Sequence, residues 1–291
     1  MSMLGGLGGM AARELLTRDA LADLVEALRS DGYDILGPLV RDGAIVIGPI
    51  EALSDLPAGM TDEQEPGSYR LRRRQDGALF GYAVGPHSYK REFLLPEVRL
   101  LRIRRSKEGL AIDEQAPVVR KRALLGVRAC ELAAMAVQDR VLLGGPFADA
   151  DYAARRRDVV IIAVQCGEAG GTCFCASMGT GPAMHAGFDL ALTELLEPHR
   201  FVVDVGSDTG RTWLSKVPHE RASREDCELA DAIVARTAAR MGTNSMLTAS
   251  ATCWRKTSST CIGTPSPNAA LDARIARWYA PPASARPSRT V

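Results

Sequence analysis

Three cysteines, Cys166, Cys173 and Cys175, stand in the glycine-rich run VQCGEAGGTCFCASMGTGP, residues 164–182. Thiols this close together bind soft metals or do redox work. A fourth, Cys130, follows the apolar run RALLGV and opens the helical stretch CELAAMAVQDRVL. If RALLGV and DVVIIAV are neighbouring parallel strands, that helix is their crossover. Cys130 and Cys166 then reach one carboxyl edge of a sheet, where open α/β folds place ligands, with Cys173 and Cys175 in the loop beyond. Four thiolates suit either an iron–sulfur cluster or zinc. The helix N-terminus is expected to lower the Cys130 pKa, and the glycine-rich loop can aim backbone N–H groups at sulfur. Gly179 and Gly181 are candidates for letting the backbone approach a cofactor, with a plain turn as the alternative.

A lone cysteine at a strand end is usually a small buried hydrophobe, and Cys227 is read that way. A thiol-redox role for Cys173 and Cys175 is a third option, but no His or Lys adjoins the pair to activate it. His87, Lys90 and Arg91 can meet a partner or an anionic cofactor, or be ordinary solvated surface. The same two readings apply to Arg72, Arg73 and Arg74, with a solvated strand face the commoner case.

The elements that must position these residues are legible in outline. Thr17 caps a helix with Leu21, Leu24, Val25 and Leu28 on one face, and Gly32 stops it. AIVIGPI follows an Asp-Gly turn. YRLRRR and ALFGYAV flank Gln75-Asp76-Gly77 and predict a hairpin. GFDLALTEL and HRFVVDVG predict a strand pair. Ser223 caps a last helix, REDCELADAIVARTAARMG, with Gly242 as its stop. The early GLGG follows no strand, so it is a poor phosphate loop. The fold class is α/β: an α+β N-terminal part, then a mixed sheet with a parallel βαβ unit, then a disordered tail. The divisions fall at 1–33 (N-terminal helix), 34–243 (α/β domain) and 244–291 (tail).

With 291 residues the chain can bury a sizeable core. A net charge of +1 gives no reason to expect nucleic acid as a partner. MSMLGGLGGMAARELL lacks the basic and apolar regions of a signal peptide, and VVIIAV is too short to span a bilayer. The expected location is the cytoplasm, where clustered cysteines point to metal or redox chemistry rather than a disulfide framework.

GVRACELAAMAVQDRVLLGG, DADYAARRRDVVIIAVQC, TCFCASMGTGP and GFDLALTEL, in that order, resemble the iron–sulfur electron-transfer subunits of cytoplasmic sulfhydrogenases (the beta subunit) and of anaerobic sulfite reductases. RDGAIVIGPI and GYAVGPHSYKREFLLPE resemble the N-terminal part of the same 4Fe–4S dicluster-domain family. The resemblance implies [4Fe–4S] clusters and electron transfer between two partners, a flavin/NAD(P)-binding subunit on one side and a catalytic hydrogenase- or sulfite-reductase-like subunit on the other. It implies no catalytic residue on this chain.

That family continues into ferredoxin modules of the form C-x2-C-x2-C-x3-C-P. Here residues 244–291 carry Lys and Arg against a single acidic residue, Asp272, and no such motif. Ala270, Ala273, Ala276 and Ala280 are spaced as that motif's cysteines, with Pro281 following. An alanine codon read one base early becomes a cysteine codon when a T precedes it. A frameshift after Thr243 is therefore the sharper reading of the tail, which leaves Cys253, Cys261, Trp254 and Trp278 without a designed role.

Overall fold

Runs of β-branched and aliphatic residues build one eight-stranded mixed sheet, which helices cover on both faces. The computed structural model describes residues 12–241 apart from 66, 107–108 and 115–119. The GLGG run, Gly242 and the tail lie outside the described residues.

The chain begins with β1 (Glu14–Thr17), α1 (Arg18–Ser30), β2 (Asp34–Arg41) and β3 (Ala44–Pro49). A small hairpin, β4 (Met60–Glu65) and β5 (Ser68–Arg73), comes next, then a short helix, α2 (Lys90–Phe93). A second small hairpin follows, β6 (Leu101–Ser106) and β7 (Gly109–Glu114). The central unit is β8 (Arg122–Val127), α3 (Ala129–Leu142), α4 (Ala150–Arg156) and β9 (Val159–Val164). The chain then forms β10 (Leu190–Leu196), β11 (His199–Val205), α5 (Asp208–Leu214), β12 (Glu220–Arg221) and α6 (Arg224–Arg240).

The large sheet has the order β12-β1-β11-β10-β9-β8-β2-β3. Strands β2, β8, β9 and β10 are parallel neighbours, so their carboxyl ends share an edge. The outer pairs are antiparallel. Alternate residues of each strand feed opposite faces. Leu125, Ile162, Leu192 and Val203 pack with α1 and α5, while Leu124, Ile161 and Ala191 pack with α3 and α4. Leu195 and Val202, on the α3 side, pack with Ala230 of α6.

The expected caps are present. Thr17 Oγ1 accepts from Ala20 N at 3.1 Å, and Leu21, Leu24, Val25 and Leu28 are buried. Ser223 caps α6 through a reciprocal capping box with Asp226.

The hairpin expected around Gln75-Asp76-Gly77 is corrected. β5 pairs with β4, and residues 78–84 form no strand. Side chains hold this buried segment instead of a ladder. Glu194 accepts from Leu79 N (2.6 Å) and Phe80 N (2.9 Å), and Asp62 accepts from Ala83 N (2.8 Å). Asp76 is taken by Arg74, at 2.7 Å. Cys227, expected in the core, is half-buried.

Candidate metal centre

β8 ends in a bulge. Its register to β9 shifts between Leu125 and Val127, and Gly126 between them has φ +90, a backbone state that side chains resist. Tyr89 Oη donates to the Leu125 carbonyl beside the bulge. The bulge delivers Arg128 and then α3, which carries Cys130 at its second position. β9 stops two residues before Cys166, and Gln165 N still bonds Leu192 O at 2.8 Å. Cys130 and Cys166 therefore stand at the same sheet edge, as the parallel pairing requires.

The loop that follows brings Cys173 and Cys175 back to that edge. Gly170 N donates to Cys173 Sγ at 3.3 Å. The amides of Cys175 and Ala176 also favour the Cys175 thiolate. Gly181 presses on Cys175. A Cβ there would lie 3.0 Å from Cys175 Sγ and 2.9 Å from Ala129 Cβ, so the loop wedges Cys175 against the first turn of α3. Gly179 is a turn glycine, with φ +65 and, among the described residues, nothing near its missing Cβ. Cys175 Sγ also meets Met241 Sδ, just beyond α6, at 3.7 Å.

The thiols influence one another electrostatically. Burial pushes Cys130 up to about 12, and Cys166, Glu131, Cys175 and Cys173 add to the rise. This corrects the expectation that its helix N-terminus would lower it: desolvation and like-charged neighbours outweigh the dipole. Burial pushes Cys175 up to about 11, with Cys166 and Cys173 contributing. Burial also raises Cys166, but the Arg128 guanidinium pulls the other way. Cys166 and Cys175 are buried, and Cys130 and Cys173 half-buried.

Arg128 is the residue that sequence reasoning passed over. It is 2% exposed. Its Nη2 donates to Phe80 O (2.9 Å) and Tyr82 O (3.1 Å), and its Nη1 to Gln165 O (3.1 Å). It lies over the Tyr82 ring, 4.9 Å from the centroid. Among the described residues, Arg128 Nε and Tyr82 Oη are buried with no hydrogen-bond partner. The available signal was an arginine directly between an apolar strand and a cysteine.

His87 and Arg91 contact one another at 2.9 Å, and Arg91 also donates to Ile47 O at 2.7 Å. Arg74 is engaged by Asp76 and Glu168, and Arg72 by Glu63.

The residues at the edge fit an anionic thiolate-bound group in three respects. The donors are soft sulfurs in mutual electrostatic contact. A buried cation beside them has an orphaned N–H. The Gly181 cradle leaves no room for a further side chain at Cys175. Among the described residues, no group of three or more His, Cys, Asp or Glu is placed to hold a metal ion as it stands, so a metal-bound state would require the thiols to draw together. They must also shed their protons, since neutral thiols are weak donors.

Fold and edge together define an α/β protein with a thiol-rich site at the carboxyl ends of its parallel strands. The chain is 32% identical over 139 residues to sulfhydrogenase 2 subunit beta of Pyrococcus furiosus, a match covering 47% of this chain and 39% of that protein. It thus spans about two fifths of the length of the curated relative it matches. No family model matches the chain, and no solved structure does. Among the described residues, no helix is long and apolar enough to cross a membrane.

Proposed function

We propose that this chain is an iron–sulfur electron-transfer subunit of a cytoplasmic oxidoreductase complex. In this reading it relays electrons between a flavin/NAD(P)-binding subunit on one side and a catalytic hydrogenase- or sulfite-reductase-like subunit on the other. The observation that carries it is the gathering of Cys130, Cys166, Cys173 and Cys175 at one sheet edge, close enough to perturb one another's charge. The name of the Pyrococcus relative supports a hydrogenase-type complex. Residues 34–243 are the functional unit, and residues 244–291 are a frameshifted remnant of a ferredoxin-like module.

A [4Fe–4S] cluster supplies a one-electron carrier when bound. The four cysteines hold it. The amides of Gly170, Cys175 and Ala176 serve the sulfurs of Cys173 and Cys175, and the Gly181 wedge fixes Cys175. The apolar strands β8 and β9 close the inner side of the site against water. Cys173→Ser and Cys175→Ser test the ligand set on protein made anaerobically. Each should lose most of its iron and its visible absorption, while Cys227→Ser keeps both. Full iron in the first two variants would remove these cysteines from the site.

A further inference from the structure

We infer that Arg128 is the built-in counter-charge of the group held by these cysteines, and that it raises that group's reduction potential. The inference rests on the cluster reading above. A buried guanidinium without an anion costs several kcal/mol of desolvation in ordinary circumstances. The four bonds from its Nη atoms all go to neutral carbonyls, those of Phe80, Tyr82, Val164 and Gln165. The neighbouring carboxylates act on it through space but hydrogen-bond to other groups. Glu194 holds Leu79 N, Phe80 N and His199, Glu131 holds Tyr89 N, and Asp62 holds Ala83 N.

Of the charged partners around Arg128, the Cys166 sulfur acts on it most strongly, ahead of Glu194. The Arg128 side chain grips the two carbonyls immediately before Cys166, and its backbone lies two residues before Cys130. Four thiolates outweigh the positive charge of a cluster core, so the assembly is anionic. Each electron it accepts makes it more so. A fixed cation at its base favours the reduced form over the oxidised one, and charge and hydrogen bonding near the sulfurs are levers on cluster potential. Two of the four carbonyls that fix Arg128, those of Phe80 and Tyr82, belong to the segment that Glu194 pins, and the other two lie at the end of β9, so the charge cannot swing out to water.

The test is a redox titration of the full chain carrying its cluster, followed by visible bleaching, with iron content measured in parallel. Arg128→Gln should make reduction less favourable by tenfold or more, with about 59 mV for each tenfold in a one-electron couple. Arg128→Lys, which keeps the charge, should restore most of the shift. Tyr82→Glu leaves Arg128 on its carbonyls but gives it an anion of its own, and should shift the potential in the same direction as Arg128→Gln. If Arg128→Gln does not assemble, Tyr82→Glu decides. An iron-loaded variant of either kind with the parent's potential overturns the role of Arg128 and leaves the cluster reading intact. Parent protein without iron overturns the cluster reading itself, and this inference with it.

Discussion

Replacing Gly181 with alanine adds one methyl group at the tightest point of the candidate site. Its Cβ would stand 2.9 Å from Ala129 Cβ, 3.0 Å from Cys175 Sγ and 3.4 Å from Cys175 Cβ. Non-bonded carbons rest at about 3.5–4.0 Å, so roughly 0.5–1 Å must be found. Neither neighbour is a flexible tip. Ala129 is fixed in the first turn of α3, and the Cys175 side chain is buried. Overpacking of this kind costs about 1–3 kcal/mol. The movement falls on Cys175, so iron retention should fall with stability. The assay is urea unfolding together with iron content after anaerobic gel filtration. Gly179→Ala is the control. Among the described residues nothing lies within 4 Å of its added methyl, but φ +65 is strained for alanine, at a cost of about 1–2 kcal/mol. It should lose stability and keep its iron. A Gly181→Ala protein within about 0.5 kcal/mol of the parent, with full iron, would refute the wedge.

Two further perturbations probe the framework. Glu194→Ala leaves Leu79 N and Phe80 N without their acceptor and should cost about 3–6 kcal/mol in urea unfolding, because hydrogen bonds to a charged acceptor are worth ~1.5–3 kcal/mol each; a loss under about 1 kcal/mol would mean the segment is held otherwise. Asp226 is held below its ordinary 3.8 by hydrogen bonds from Ser223 and by Arg200, against the effect of burial. A depressed folded pKa contributes stability in full above 3.8 and loses it as pH falls through the lower folded value. Asp226→Ala should therefore cost about 1–2 kcal/mol at pH 7, with the gap to the parent closing below 3.8. A gap that stays constant to pH 2 would contradict the linkage.

The parallel unit was legible in the sequence because β8 and β9 are continuous apolar runs and α3, the longer of the two helices between them, is of ordinary length. Thr17 and Ser223 were legible for a local reason: a cap and its helix are neighbours in the chain. β4 escaped because MTDEQE has neither apolar alternation nor β-branched texture beyond Thr61, as a half-buried two-stranded element outside the main sheet allows. The false hairpin at Asp76 arose because a turn signal says nothing about what its flanks pair with. The segment after it answers to Glu194, 115 residues from Leu79, and to Arg128, 48 residues from Phe80. The same distance in sequence hid Arg128. Strand order alone could place Cys130 and Cys166 on one edge, with Cys173 and Cys175 in the loop beyond, but a buried cation among them follows only from how remote carbonyls close around it. The Cys130 pKa went the other way from the helix-dipole expectation because burial and neighbouring sulfurs are tertiary facts.

The most direct measurement is the metal content and visible spectrum of the parent protein made and kept without oxygen. Brown protein with about four iron atoms per chain at this site, whose absorption bleaches on reduction, is the expected result. Colourless protein with stoichiometric zinc at Cys130, Cys166, Cys173 and Cys175 would contradict it.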